Sequence, residues 1–150
     1  LVREEANGQI SALDWGVILT PVGTPEPQRL AQIHTSLKQV LLDHKPESAA
    51  VEALFFQRNV RTAMSVGQAR GVALLTLEQA RLPIHEYKPN EIKQTVTGYW
   101  AADKKQMQGM VRTLLSLPET PQPDDAADAL AIAICHLQHR RFAEITQQTL

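Results

Sequence analysis

The sequence has little cysteine: Cys135 is the single one among 150 residues. An internal disulfide is therefore excluded, and the place of Cys135 in an apolar run predicts a buried thiol in a cytoplasmic, reducing compartment. The chain also lacks Cys and His pairs at the spacing of zinc ligands, which argues against a structural zinc site. The interior must be held together by packing.

Long hydrophobic runs and an excess of one charge are also absent. The longest apolar run, residues 129–135, is far too short to span a bilayer, so we predict no membrane partner. The net charge of −1 does not indicate nucleic-acid binding, so any basic surface must be local. A hydrophobic content of 43% with only 5% aromatic residues is typical of a mixed α/β protein with an aliphatic core. The length predicts a single domain over residues 1–150.

Strand-like and helical patterns alternate along the chain, which indicates a layered α/β domain. Strands are predicted at residues 9–20 (as a strand or hairpin), 48–54 and 83–87. Helices are predicted from a start within residues 24–27 to about residue 44, at 60–80, at 90–97, from 102 and after a cap at 124 or 125, and the tail at about 139–150 is expected to fray. Gly67 and Gly71 on the second of these helices predict close packing there, inside the domain or across a dimer axis.

Carboxylates occur at two unusual places. Asp124, Asp125 and Asp128 stand at the start of the last predicted helix, and the last two share one helix face. Taken alone, they are explained by a helix cap and by compensation of the helix dipole, although metal binding would use the same pattern. Glu52 lies in an apolar strand, where a carboxylate is costly unless it is paired, protonated, bound to a cation or facing water at the strand end. These segments alone leave both alternatives open.

Aromatic and basic residues follow Glu52. Phe55 and Phe56 are adjacent, so both cannot point into the same core. One either packs under the next loop or offers a stacking surface for a base, with Arg58 and Arg61 close by for phosphates. A second basic region flanks the aromatic pair Tyr99 and Trp100, and it is either a solvated face or a nucleic-acid surface; it contains Lys88, Lys93, Lys104, Lys105 and Arg112.

These segments, taken together, resemble one family in colinear order from about residue 9 to residue 138. The resemblance is to the RuvC Holliday-junction resolvases. It is carried by Ala50-Val51-Glu52 with Phe55 and Asn59, Val66-Gly67-Gln68-Ala69-Arg70-Gly71-Val72, Pro83 to Tyr87, Ile92 to Gly98, Lys104 with Gln106 to Val111, and Asp125-Ala126-Ala127-Asp128-Ala129-Leu130-Ala131.

The resemblance implies a ribonuclease H-like fold, with a mixed central sheet flanked by helices, and a homodimer that nicks four-way DNA junctions in the cytoplasm, together with a branch-migration helicase. It also implies metal ligation by Glu52, Asp125 and Asp128, which leaves Asp124 as the expected cap of the last helix. Two Mg²⁺ ions per site, or Mn²⁺ in their place, suit such oxygen ligands and phosphodiester hydrolysis. Lys93 and Lys104 would steady the scissile phosphate, and Phe55 would stack on an unpaired base. The DNA-binding set implied is Phe55, Arg58, Asn59, Arg61, Lys88, Lys93, Lys104 and Lys105.

The sequence departs from the family pattern at two places. The family's fourth carboxylate is an Asp in an Ile-Asp-Pro-Gly motif on the first strand, and this motif is absent, so we expect the chain to begin just after that strand. Asp14 is no substitute, since no Pro-Gly follows it. Trp100 stands where the family has a small residue.

Two alternatives to a junction-cutting enzyme remain. One is a junction-binding module that does not cut, because the first catalytic Asp is absent, and the other is a related nuclease acting on RNA or linear DNA.

Overall fold

The structure, a computed structural model, describes residues 1–53 and 60–148. Phe55, Arg58 and Asn59 lie outside the described residues, as does the side chain of Arg61. The described elements are, in order, β1 (Val2–Glu4), β2 (Ile10–Ala12), α1 (Glu26–His44), β3 (Ala49–Glu52), α2 (Val60–Gln79), β4 (Ile84–Tyr87), α3 (Pro89–Thr97), α4 (Lys104–Leu114) and α5 (Asp124–Gln148).

The first two strands form an antiparallel hairpin in which Val2 pairs with Ala12. Gly8 allows the tight turn between them, because its φ of 80° is readily adopted only by glycine. The strand predicted at 9–20 is thus wrong in extent, since residues 13–21 are not in a strand. The reason is that these residues do not alternate between a buried and a wet face: Trp15, Val17 and Leu19 are all exposed.

The described chain divides into two compact units. One unit comprises residues 18–49 and 54–85, and in it α1 packs against α2. His34 Nδ1 lies 2.8 Å from the hydroxyl of Thr76, which is buried between these helices. Close packing inside the domain is not found at Gly71, because a Cβ added there would meet no atom of this chain within 4 Å. Packing of this helix across a dimer axis stays a prediction.

The other unit comprises residues 1–17, 50–53 and 86–150, and its core is built around α5. Helices α3 and α4 pack against α5 and against each other. Small side chains on the buried face of α5 let these helices approach closely, and Leu130 and Ile134 fill the centre. The prediction of a buried thiol is confirmed, since Cys135 is fully buried in this core.

Tyr87 joins two elements of this second unit. Its carbonyl oxygen accepts a 2.8 Å hydrogen bond from the N–H of Ala53, the residue after β3. Its hydroxyl shares a buried 2.9 Å hydrogen bond with Nδ1 of His136 on α5. Ala49 donates in the same way to Pro83 O, so β3 and β4 run in parallel. Tyr87 therefore ties the end of β3 to α5.

The ends of the helices follow their capping residues. Gly98 ends α3 in the left-handed region, with a φ of 76°. Asp103 begins α4 with a capping box in which its carboxylate accepts from the N–H of Gln106. Past His139, where fraying was expected, α5 continues to Gln148. Among the described helices, none is long and apolar enough to cross a membrane.

Replacing Leu130 with Ala should destabilise the protein by about 2 to 5 kcal/mol, because a fully buried side chain is removed from a packed core. Leu42→Ala is the matched control: Leu42 is also helical but 57% exposed, so the same change should cost less than about 1 kcal/mol. Urea unfolding followed by circular dichroism measures both. Equal losses would show that Leu130 does not support the core.

Candidate active site

The first turns of α5 present two carboxylates on the side opposite the core. Ala126, Ala127 and Leu130 are buried against the neighbouring helices. Asp125 and Asp128 alternate with them and face solvent. Since the two positions are three residues apart on a helix held by its buried face, their side chains share one edge of it. The rigid backbone of α5 thus fixes where both carboxylates can reach.

Glu52 meets this pair from the sheet. It is the last residue of β3 and is half-buried. Removal from water raises the pKa of the Glu52 carboxyl, and the negative charge of Asp128 raises it further. Partial burial likewise raises the pKa of Asp128, and so do the charges of Asp125 and Asp124, against the opposing effect of Lys104. The carboxylates of Glu52 and Asp128 are therefore close enough to repel each other.

This donor set suits a hard divalent cation. Carboxylate oxygens are the ligands that Mg²⁺ and Mn²⁺ prefer, and a cation would favour the ionised forms that burial and neighbouring negative charge disfavour here. Within residues 1–53 and 60–148, however, no three His, Cys, Asp or Glu side chains are placed to hold one ion together. The described residues thus offer carboxylates whose chemistry suits such a cation, with the charge of Asp128 acting on Glu52 and with Asp125 beside Asp128 on α5.

Lys104 supplies positive charge next to these acids. Its ammonium lies 2.8 Å from Oδ2 of Asp124, whose other oxygen accepts a 2.9 Å hydrogen bond from Gln108. The contact with Asp124 raises the pKa of Lys104, and the charges of Asp128 and Asp125 raise it as well, so the ammonium stays protonated. The expectation that Asp124 is the helix cap is corrected: Asp124 is the first residue of α5, and its carboxylate contacts α4 instead.

The remaining predicted lysines differ in exposure. Lys93 is half-buried on α3, whereas Lys88 and Lys105 are exposed at the starts of α3 and α4. The expectation of exposed aromatics beside the lysines is confirmed, since Tyr99 is 52% and Trp100 65% exposed. Gln108, the second group that contacts Asp124, is not among the residues predicted for the site. Its spacing of four residues from Lys104, on one face of a helix, was the available signal.

Comparison with known proteins decides the family. The family model described as "Crossover junction endodeoxyribonuclease RuvC" matches residues 1–136. The chain belongs to the RuvC family. RuvC of Chloroflexus aurantiacus (strain J-10-fl) is 58% identical over 135 residues, which are 90% of this chain and 82% of that protein. RuvC of Syntrophomonas wolfei is 46% identical over 149 residues, 99% of this chain and 86% of the relative.

Solved structures confirm the predicted ribonuclease H-like α/β fold. The structure of Thermus thermophilus RuvC matches with a TM-score of 0.85 and 35% identity, covering 95% of this chain and 86% of that one. The same protein in complex with a Holliday junction substrate matches with a TM-score of 0.85 and 34% identity, covering 94% and 85%. The resemblance predicted from residues 9–138 is thereby confirmed.

The raised pKa of Glu52 predicts a pH-dependent stability. Because the ionised carboxylate is disfavoured in the folded state, folding becomes less favourable as pH rises from about 4 through the raised pKa. Glu52→Gln removes this effect, so without metal its Tm should exceed that of the wild type by roughly 1 to 3 °C at pH 7.5 and equal it at pH 4. Thermal unfolding in EDTA measures this.

Glu119→Gln, a change at an exposed carboxylate of the connector before α5, is the control and should leave Tm unchanged at both pH values. A Glu52→Gln protein that is no more stable than the wild type at pH 7.5 would contradict the repulsion between Glu52 and Asp128.

Proposed function

We propose that the protein resolves four-way DNA junctions by metal-dependent hydrolysis, with Glu52, Asp125 and Asp128 as metal ligands. The observation that supports the proposal most is the meeting of two partly buried carboxyl groups, Glu52 at the end of β3 and Asp128 on α5: burial raises the pKa of both, and the charge of Asp128 raises that of Glu52 further. Two acids held together at this cost to their ionised forms are suited to a cation. Membership of the RuvC family supplies the reaction.

The chain's own residues have distinct roles in this reaction. Glu52 and Asp128 would hold Mg²⁺, or Mn²⁺, from two rigid elements, with two ions expected per site. When bound, the metal would activate water and neutralise charge on the attacked phosphate and the leaving oxygen. Lys104, which stays protonated beside the carboxylates, would balance the phosphate charge, and Lys93 would do so from α3.

DNA binding would rest on local basic residues, because the net charge of the chain is only −1. Lys88 and Lys105 would contact phosphates outside the reacting centre, and Arg58, Asn59 and Arg61 would add contacts next to Phe55. In a homodimer, a two-fold axis would place two such surfaces and two cuts symmetrically on a four-way junction. A branch-migration helicase is the further partner that the family suggests.

The two alternatives considered for the sequence gain no support from the comparisons. Binding without cleavage and cleavage of RNA or linear DNA would both leave the junction intact in a cleavage assay. The relatives at 46% to 58% identity are named crossover junction endodeoxyribonucleases.

Glu52→Gln in the full-length protein should reduce Mg²⁺-dependent cleavage of a synthetic four-way junction at least about a hundredfold, because a charged metal ligand is lost. Junction affinity should change little, since Glu52 is not a phosphate contact. Denaturing gels measure cleavage, and fluorescence anisotropy in EDTA measures affinity.

Glu119→Gln serves as the control and should cut at the wild-type rate. Wild-type protein that nicks no junction with Mg²⁺ or Mn²⁺ would overturn the proposed function, whereas unimpaired cutting by Glu52→Gln would remove only Glu52 from the site.

Phe55→Ala should weaken opening of the junction and slow cleavage roughly ten- to a hundredfold, since stacking on an unpaired base is worth about 1 to 3 kcal/mol. A fluorescent base analogue at the crossover reports opening directly. Phe56→Ala is the matched comparison, and it should leave the signal of the analogue unchanged. An unchanged signal with Phe55→Ala would mean that Phe55 packs inside the protein.

A further inference from the structure

Two donors on α4 hold one carboxylate of α5. Lys104 Nζ lies 2.8 Å from Asp124 Oδ2, and Gln108 Nε2 donates to Asp124 Oδ1 at 2.9 Å. Lys104 and Gln108 are four residues apart, so their side chains leave the same face of the helix. The ammonium of Lys104 and the amide of Gln108 thus each bind one oxygen of the same carboxylate, that of Asp124. The family resemblance gave Lys104 a role but gave none to Gln108 or Asp124.

An anion with two oxygens bound in this way has the chemistry of a DNA phosphate, which offers two non-bridging oxygens. We propose that Lys104 and Gln108 form a phosphate-binding subsite for junction DNA, which the carboxylate of Asp124 occupies when no DNA is bound. This inference rests on the proposed function, since it adds Gln108 as a DNA contact and Asp124 as a competing anion at the same site.

Replacing the carboxylate of Asp124 by a phosphate as the partner of Lys104 should cost little free energy. The side chains of Lys104 and Asp124 are 54% and 51% exposed, and ion pairs in such surroundings contribute little net stability. The charges of Asp125 and Asp128 also act on Lys104. They keep the ammonium near the reacting centre after Asp124 leaves.

The carboxylate of Asp124 would still be stabilised after its displacement from Lys104. Asp124 is the first residue of α5, where unpaired N–H groups and the positive end of the helix dipole stabilise a negative charge. The cost of displacing it is therefore small. Asp124 nevertheless competes with DNA, because it must be displaced and because it repels the phosphate backbone.

Junction binding by the full-length protein tests the proposal without any cleavage. The protein is titrated in EDTA against a fluorescein-labelled four-way junction and against a linear duplex of the same arm sequence, with anisotropy as the readout. The variants are Asp124→Asn, Lys104→Met and the double variant, with Glu119→Gln as the control for loss of an exposed carboxylate. Asn keeps the shape of Asp124 and removes its charge.

Asp124→Asn should bind the junction about three- to fivefold more tightly than the wild type, the amount expected when an exposed competing ion pair is removed. In the Lys104→Met background the same change should give no more gain than Glu119→Gln. The slope of log Kd against log salt should become steeper by up to about one in Asp124→Asn, because no carboxylate then takes up a cation when DNA binds.

Gln108→Ala tests the second donor. It should weaken junction binding about two- to threefold, as expected for one lost hydrogen bond, and it should reduce the gain from Asp124→Asn. Gln106→Ala is unsuitable as a control because Gln106 belongs to the capping box of α4. Thermal unfolding of each variant confirms that it is folded at the temperature of the titration.

Two results would overturn the proposal: an Asp124→Asn variant that binds no more tightly than the wild type, or a gain that persists undiminished with Lys104→Met. The proposed function fails in a different way, namely if the wild type shows no preference for the junction over the duplex. Binding to the duplex still reports on Asp124 in that case, so the two failures are distinguishable.

Discussion

Burial of one face of α5 is the constraint on which the candidate site depends. Ala126, Ala127 and Leu130 are almost entirely removed from water, so the helix cannot rotate without exposing them. The opposite edge, with Asp125 and Asp128, is fixed by the same packing. The core therefore sets the position of the carboxylates, although none of its residues takes part in the chemistry.

The electrostatic environment of the acids at this edge of α5 shifts their protonation equilibria. Burial raises the pKa of both Glu52 and Asp128, the charge of Asp128 raises that of Glu52 further, and Lys104 opposes the rise at Asp128. An arrangement of this kind is poorly satisfied by protein groups alone and well suited to exchange with external ions. In the proposed function a metal ion would neutralise the acids, and a DNA phosphate would replace Asp124 as the partner of Lys104.

Much of this could be predicted from the sequence where patterns were local. Helix periodicity and capping residues placed α1, α3 and α4 closely, because these signals lie within a few residues of each helix end. The hairpin of β1 with β2 is not evident from the sequence, because each of its strands is only three residues long. The strand predicted at residues 9–20 is too long, because apolar content alone does not show burial. The contact of Asp124 with Lys104 and Gln108 joins two helices, and helix propensity contains no information about such pairs. Asp124 was therefore interpreted as a cap.

Tyr87 has a consequence for how far the site tolerates change. Its main chain is bonded to the residue that follows Glu52, and its hydroxyl is bonded to the helix that bears Asp128. One aromatic ring, with only two rotatable bonds, therefore acts as a spacer of set length between the two acid-bearing elements. The length of an aromatic ring is fixed, whereas a longer aliphatic side chain changes its length by rotation about its single bonds. The separation between the end of β3 and α5 is thus tied to a covalent dimension inside the protein, the length of the tyrosine side chain.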